Sequence, residues 1–226
     1  MAEQLAPYAA EETAEYVKIT PALSPRRSAA SPVQSPGVEK VDRRVRKTKR
    51  QLREALTTLL LTKSFSEITV REISELADVN RGTFYTHYRD TADLLHQLEN
   101  SFLESLHDIK VIVKRQDWER ATYAYLEEVF TLCSENADIC KALICRRSDP
   151  DFYDRFVDIL RSQYLHRFLE QACRTEDLVR EMYSAYIVQG IIAIVTLWLD
   201  NGMKSTPEQM ARMGGDFIMR GVKGLR

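Results

Sequence analysis

The chain has 226 residues, with 32 Lys+Arg against 33 Asp+Glu, a net charge of -1 at pH 7 and a pI near 6.5. At roughly 100–200 residues per domain, this length gives one large or two modest domains with enough chain to bury a core. A hydrophobic fraction of 44% beside 29% charged residues is ordinary for a globular protein, and 8 Gly, 7 Pro and 4 Cys exclude collagen-like, wholly disordered and disulfide-stapled classes. A total charge so near zero also counts against a nucleic-acid binder, whose domains are usually basic, unless the charges are unevenly placed.

Residues 1–40 hold five of the seven prolines (Pro7, Pro21, Pro25, Pro32, Pro36), with Ser-Pro pairs at Ser24, Ser31 and Ser35. No apolar period survives there, so the stretch buries too little to offset chain entropy and is expected to be a disordered extension. Glu3, Glu11, Glu12 and Glu15 are unlike a secretory leader. The most apolar window, Ala185 to Leu199, is broken by Gln189 and falls short of the ~20 residues that span a bilayer. Cys133, Cys140, Cys145 and Cys173 lack CxxC spacing and read as free thiols. A cytoplasmic protein without membrane contact is expected.

From residue 41 the pattern is helical, and the expected class is all-α. Val45, Leu52, Leu56, Leu59 and Leu60 predict a helix over about 43–62. A short helix over 70–77 starts at a capping box, Thr69 with Glu72. Asp78-Val79-Asn80 breaks the period, and Asn80 caps a third helix over 81–88. Asp90 or Thr91 caps a fourth, carrying Leu95, Leu98, Phe102, Leu106, Ile109 and Val113. Further helices are predicted over about 118–134, 137–145, 150–172, 176–199 and 206–220. Asp149-Pro150 and Thr206-Pro207 mark starts, and Asn201-Gly202 marks a stop.

Counted by segment, the charge is not even. Residues 1–40 carry 4 basic and 5 acidic residues, 41–91 carry 11 and 7, and 92–226 carry 17 and 21. Within Asp42 to Arg53, seven basic residues (Arg43, Arg44, Arg46, Lys47, Lys49, Arg50, Arg53) face one acid. Such a run is the electrostatic footprint of an element that tracks phosphates, though alone it could equally be a solvated helix start. It leads into two short helices joined by a tight turn, a helix-turn-helix. The second of these presents its N-terminal side chains to a major groove ~12 Å wide. Arg81 can fork onto guanine or phosphate, Gly82 lets the backbone approach, Thr83 and Thr86 offer hydroxyls, and Tyr85 and His87 can donate to phosphate oxygens. Phe84 and Tyr88, four apart, also suit inward packing.

The run from Thr69 through Arg81-Gly82-Thr83-Phe84-Tyr85-Thr86-His87-Tyr88, with Leu94-Leu95 beyond, resembles the DNA-binding domain of the tetracycline-repressor (TetR/AcrR) family, over about 46–106. Tyr186 with Gly190, and Trp198-Leu199 with Gly202, resemble a C-terminal segment of one subgroup. The resemblance implies three parts: the extension 1–40, a basic arm and helix-turn-helix over 41–91, and an effector-binding and dimerisation bundle over 92–226. It implies DNA contacts by Thr69, Val70, Arg81, Gly82, Thr83, Tyr85, Thr86, His87 and Tyr88, with Arg44, Arg46 and Lys47 reaching an adjacent phosphate or minor groove. The family often has Lys where this chain has Thr91, which turns that phosphate contact into a hydroxyl contact or removes it.

The resemblance further implies a homodimer and a small-molecule effector of unstated identity. The segment 176–199 is apolar nearly all round, and Val188, Ile191, Ile192, Val195 and Leu199 are the expected dimer contacts, with a monomer's core helix as the other reading. His107, Tyr123, Tyr153, Tyr164, Tyr183 and Gln189 are the candidate effector contacts. Catalytic residues, metal and cofactor are not expected: no G-x-S-x-G, Walker loop or H-E-x-x-H occurs. The expected function is a ligand-responsive repressor that binds a palindromic double-stranded DNA operator. The alternative is a co-regulator of the same fold acting through a protein partner.

Overall fold

The computed structural model describes residues 16–18, 36–109, 112–114, 117–145, 150–172 and 175–223. Helix α1 runs Pro36–Leu60; it starts about seven residues before the predicted position and carries the whole basic run, as the predicted helix over 43–62 did. A 3-10 turn at Phe65–Glu67 leads to α2 (Val70–Leu76), α3 (Arg81–His87) and α4 (Thr91–His107). The α4 helix stops short of expectation: Ile109 lies beyond its cap and Val113 sits on a strand. That strand, β2 (Ile112–Lys114), pairs antiparallel with β1 (Tyr16–Lys18), Val17 opposite Val113. Three residues of the expected extension therefore return to the body of the protein. The Ser-Pro serines Ser24, Ser31 and Ser35, and the loop 146–149, lie outside the described residues.

The rest is a helical bundle. Helix α5 (Trp118–Glu135) is followed by α6 (Ala137–Cys140), which passes into a π turn at Lys141–Cys145. Helices α7 (Pro150–Leu160) and α8 (His166–Ala172) form one rod joined by a second π turn, Arg161–Leu165. Helices α9 (Asp177–Asp200) and α10 (Pro207–Lys223) close the bundle. At 24 residues, α9 is long and apolar enough to cross a bilayer, so its length does not separate it from a membrane span as the interrupted window implied. Eight of its residues, from Ser184 to Leu199, are instead buried against the other helices.

One apolar core runs through both parts. In the N-terminal unit Leu52, Leu56, Ile73, Phe84 and Leu94 are wholly buried; in the bundle Ala121, Phe130, Phe152, Phe168 and Leu199 are. The α10–α5 packing is close because α10 carries glycines where α5 and α9 bring tyrosines. A Cβ on Gly215 would lie 2.4 Å from the Tyr123 ring, and one on Gly221 would lie 2.1 Å from the Tyr183 hydroxyl. Cys133 and Cys140 are buried free thiols and Cys145 is a half-buried one, while Cys173 lies outside the described residues. The Cys140 thiol is pushed well up in pKa, first by its hydrogen bond with Cys133 and then by burial, which makes it a packing group rather than a nucleophile.

Candidate nucleic-acid interface

The helix-turn-helix is built by local chemistry. The Thr69 hydroxyl accepts from the Glu72 backbone N–H, and the Glu72 carboxylate accepts in return from the Thr69 backbone N–H at 3.0 Å. Lys63 pairs with the same carboxylate. Hydrogen bonds from Lys63 first, then from the Thr69 side chain and backbone, hold Glu72 at a pKa of about 2. Helix α2 ends where Asp78 turns left-handed, at φ 53°, and Val79 N–H reaches back to Ser74 O at 3.0 Å. Two residues later the Asn80 side chain accepts from Gly82 N–H at 2.8 Å and starts α3. A Cβ on Gly82 would press within 3.3 Å of that Asn80 oxygen, so glycine keeps the cap undisturbed.

Helix α3 is thereby split into two faces. Phe84 is wholly buried, whereas Tyr85, its chain neighbour, is 58% exposed. Arg81, Gly82 and Thr86 are exposed beside Tyr85, and Thr83 and His87 are half-buried. The Thr86 hydroxyl donates to Thr83 O at 2.6 Å and keeps an acceptor free to face outward. The pKa of His87 is lowered, first by burial and then by the Lys49 charge. On α1, Arg43, Arg46, Lys47 and Arg50 fall at spacings of three and four and share one face, opposite the face that buries Leu52 and Leu56. Arg44, also exposed, lies to one side of that stripe. Thr69 is exposed at the start of α2. Thr91 is half-buried as the first residue of α4, where Asp90 caps by accepting from Asp93 N–H at 2.8 Å.

Two expected contacts belong to the core instead. Tyr88 is only 2% exposed, burial raises its phenol pKa, and Lys49 Nζ stands 5.9 Å from its ring centroid. Its spacing from Phe84 decides this: on one turn of helix the two rings face the same way, with centroids 5.8 Å apart. The Val70 side chain is half-buried and packs against the core.

The expected dimer contacts are corrected in the same way. Val188, Ile191, Ile192, Val195 and Leu199 are all buried within a single chain. The apolar residues that α9 and α10 leave exposed are Leu178, Met182, Tyr186, Leu197, Met213 and Phe217. Of the expected effector contacts, Tyr123 donates to Asp216 at 2.7 Å, which with burial lifts its pKa to about 12, and Tyr183 donates to Ile218 O at 2.7 Å. Both tyrosines fasten α10. Tyr153 is buried and donates to the exposed Gln189 at 2.9 Å, and His107 is half-buried in the last turn of α4. The side chain of Tyr164 lies outside the described residues. None of the five described candidates lines the apolar cavity of the bundle. That cavity, about 30 Å³, is walled by residues including Tyr125, Val129, Leu160, Phe168, Ile187 and Ile218.

Comparison with known proteins fits this geometry. Residues 52–98 match the family described as bacterial regulatory proteins, tetR family, and residues 121–220 match a transcriptional regulator C-terminal region of the same group. The chain belongs to the TetR family. It is 24% identical over 182 residues to YxbF of Bacillus subtilis (strain 168), an uncharacterized HTH-type transcriptional regulator. That match takes in 80% of this chain but 47% of the relative, so the chain spans about half the length of the curated relative it matches. A TetR transcriptional regulator from Streptococcus agalactiae 2603V superposes with a TM-score of 0.56 at 26% identity, over 80% of this chain and 98% of that one. NalD, the secondary repressor of the MexAB-OprM multidrug efflux pump in Pseudomonas aeruginosa, shares the fold with a TM-score of 0.57 at 21% identity, over 78% and 96% of the two chains.

Proposed function

We propose that this TetR-family regulator binds a palindromic DNA operator as a homodimer, represses from it, and is released when a small apolar effector enters the bundle. One observation carries the reading: the exposed Arg81–Tyr85–Thr86 face of α3 and the basic face of α1 both belong to the helix-turn-helix unit, whose other faces are core. A helix in that position offers side chains to base edges while neighbouring cations and hydroxyls hold the phosphates. The exposed apolar stripe on α9 and α10 supports a two-fold dimer, because a patch of this kind is more than an isolated chain keeps wet. The effector is apolar because the cavity lining is almost wholly hydrocarbon, with hydroxyls only at Thr122 and Tyr125. The reading is of a cytoplasmic, non-enzymatic protein.

Selection of duplexes from a random library with the full chain tests it. The expected result is an enriched palindrome whose half-sites lie one turn apart, ~34–36 Å, with a steep loss of affinity as salt rises. A library without an enriched palindrome, and an affinity that ignores salt, would sink the reading in favour of a co-regulator that works through a protein partner.

A further inference from the structure

We propose that Glu99 and Arg155 are the positioning residues of a latch through which the effector cavity controls the reading head. The inference rests on the reading that an effector enters the bundle. Glu99, on α4, is 0% exposed, and its Oε2 accepts from Arg155 Nη2 of α7 at 3.2 Å, with His96 Nδ1 3.3 Å away. The same guanidinium spans to the next residue of α4, donating from Nη1 to Asn100 Oδ1 at 2.9 Å. Burying a carboxylate is costly unless it is paired. Glu99 is fully buried while the Arg155 side chain is 44% exposed, so the pair adds little net stability, and the best-attested use of such a pair is to fix a register or a switch.

The two helices joined by the latch lead to the two functional surfaces. Helix α7 seats Phe152 and Phe156 against Phe102 of α4, with centroids 6.3 and 6.2 Å apart. The same rod continues through Leu160 and the π turn to Leu165 and Phe168, which wall the apolar cavity. In the other direction, α4 begins at the Asp90 cap, and Asp93 accepts from Arg89 N–H at 2.9 Å, which ties its first turn to the end of α3. Away from α7, α4 borders a cleft of about 550 Å³ through Leu98, Ser101 and Ser105, across from Arg50 and Arg53 of α1. Helix α4 is fastened on one side and has room on the other.

An occupant larger than the resting cavity pushes Leu160, Leu165 and Phe168 outward, and α7 carries Arg155 with them. Two hydrogen bonds from one planar fork tolerate little displacement. Because one guanidinium holds both Glu99 and Asn100, α4 moves with α7 and reorients α3.

Enlarging a wall residue stands in for the occupant: Val129→Phe, with Leu126→Phe as a second wedge should the first overpack the bundle. Each is placed in the full chain in the native background, in Arg155→Lys, which keeps the charge but loses the fork, and in Glu99→Leu/Arg155→Met, which fills the space without charge. Backbone hydrogen exchange across α4 is read in each, without DNA. In the native background the wedge speeds α4 exchange by about tenfold, and in both latch backgrounds by about twofold or less, within the span of ordinary allosteric coupling. Equal acceleration in every background, or none in the native one, overturns the latch. Failure of the regulator reading would show separately, as the absence of a selected duplex, and would leave the exchange result intact.

Discussion

The N-terminal head and the C-terminal bundle solve the packing problem by opposite means. In the head, helices of seven residues are too short to persist alone, so each end is fastened: Thr69 with Glu72, Asp78 in its left-handed turn, Asn80 on Gly82, Asp90 on Asp93. Its outer face is mostly polar, with Leu76 and Tyr85 exposed on it, and its inner face is a few large side chains. The bundle also caps α5 at Asp117 and α10 at Thr206 with Gln209, but its long helices are ordered mainly by contacts far apart in sequence, such as Tyr123 on Gly215 and Asp216, and Tyr183 on Gly221 and Ile218. The head is specified locally, one turn at a time, whereas the bundle is specified by fit.

The neighbours Phe84 and Tyr85 give the largest expected contrast. Phe84→Ala removes a wholly buried ring and costs about 3–5 kcal/mol, enough to unfold the head. Tyr85→Ala leaves the unfolding midpoint within about 0.5 kcal/mol, as for exposed positions, yet weakens affinity for the selected duplex by about tenfold, the size of one direct contact. Denaturant unfolding and a binding titration on the two variants decide it, and equal effects on stability would abolish the two-faced reading of α3. In the bundle, Gly215→Val forces a side chain into the Tyr123 ring and destabilises by about 1–3 kcal/mol, read as a lower unfolding midpoint. A neutral outcome there would mean that the α5–α10 contact is looser than the head.

Smaller effects test the local fastenings. Asp78→Gly relieves a left-handed residue and raises stability by about 0.5–1 kcal/mol, measurable by thermal unfolding. Glu72 has a folded pKa of about 2, below its ordinary 4.5, so its contribution is present above pH 4.5 and is lost as pH falls toward 2. Glu72→Gln is therefore expected to flatten that part of the acid limb in a stability–pH profile. An unchanged limb would remove the Lys63–Glu72–Thr69 cluster from the account of how α2 begins.

The order of helices, the caps and the glycine at the start of α3 were legible in the sequence, because a capping box, an Asn cap and a Pro or Gly boundary act through neighbours in the chain. Tyr88 shows where the reading of the site failed: a resemblance placed it on DNA, while its spacing from Phe84 placed it inside. Glu99 went unread because an acid on a helix is ordinarily solvated, and nothing in the run from Leu95 to Phe102 marks it as the partner of Arg155, 56 residues away. Among the described residues, α1 also starts at Pro36, earlier than its apolar period, and Pro at the first turn of a helix fits that start because its missing N–H would have no partner there.

By itself, then, the sequence determined an all-α chain in two parts and concentrated its positive charge on one short stretch, which explains how a total of -1 coexists with a basic face. Those are properties of local propensity and of counting. Which side of α9 is core, which apolar residues stay exposed, which tyrosines fasten α10 and which carboxylate is buried were settled only by tertiary packing. A helix apolar nearly all round has no preferred face of its own, and it acquires one only when the surrounding helices choose which side to cover.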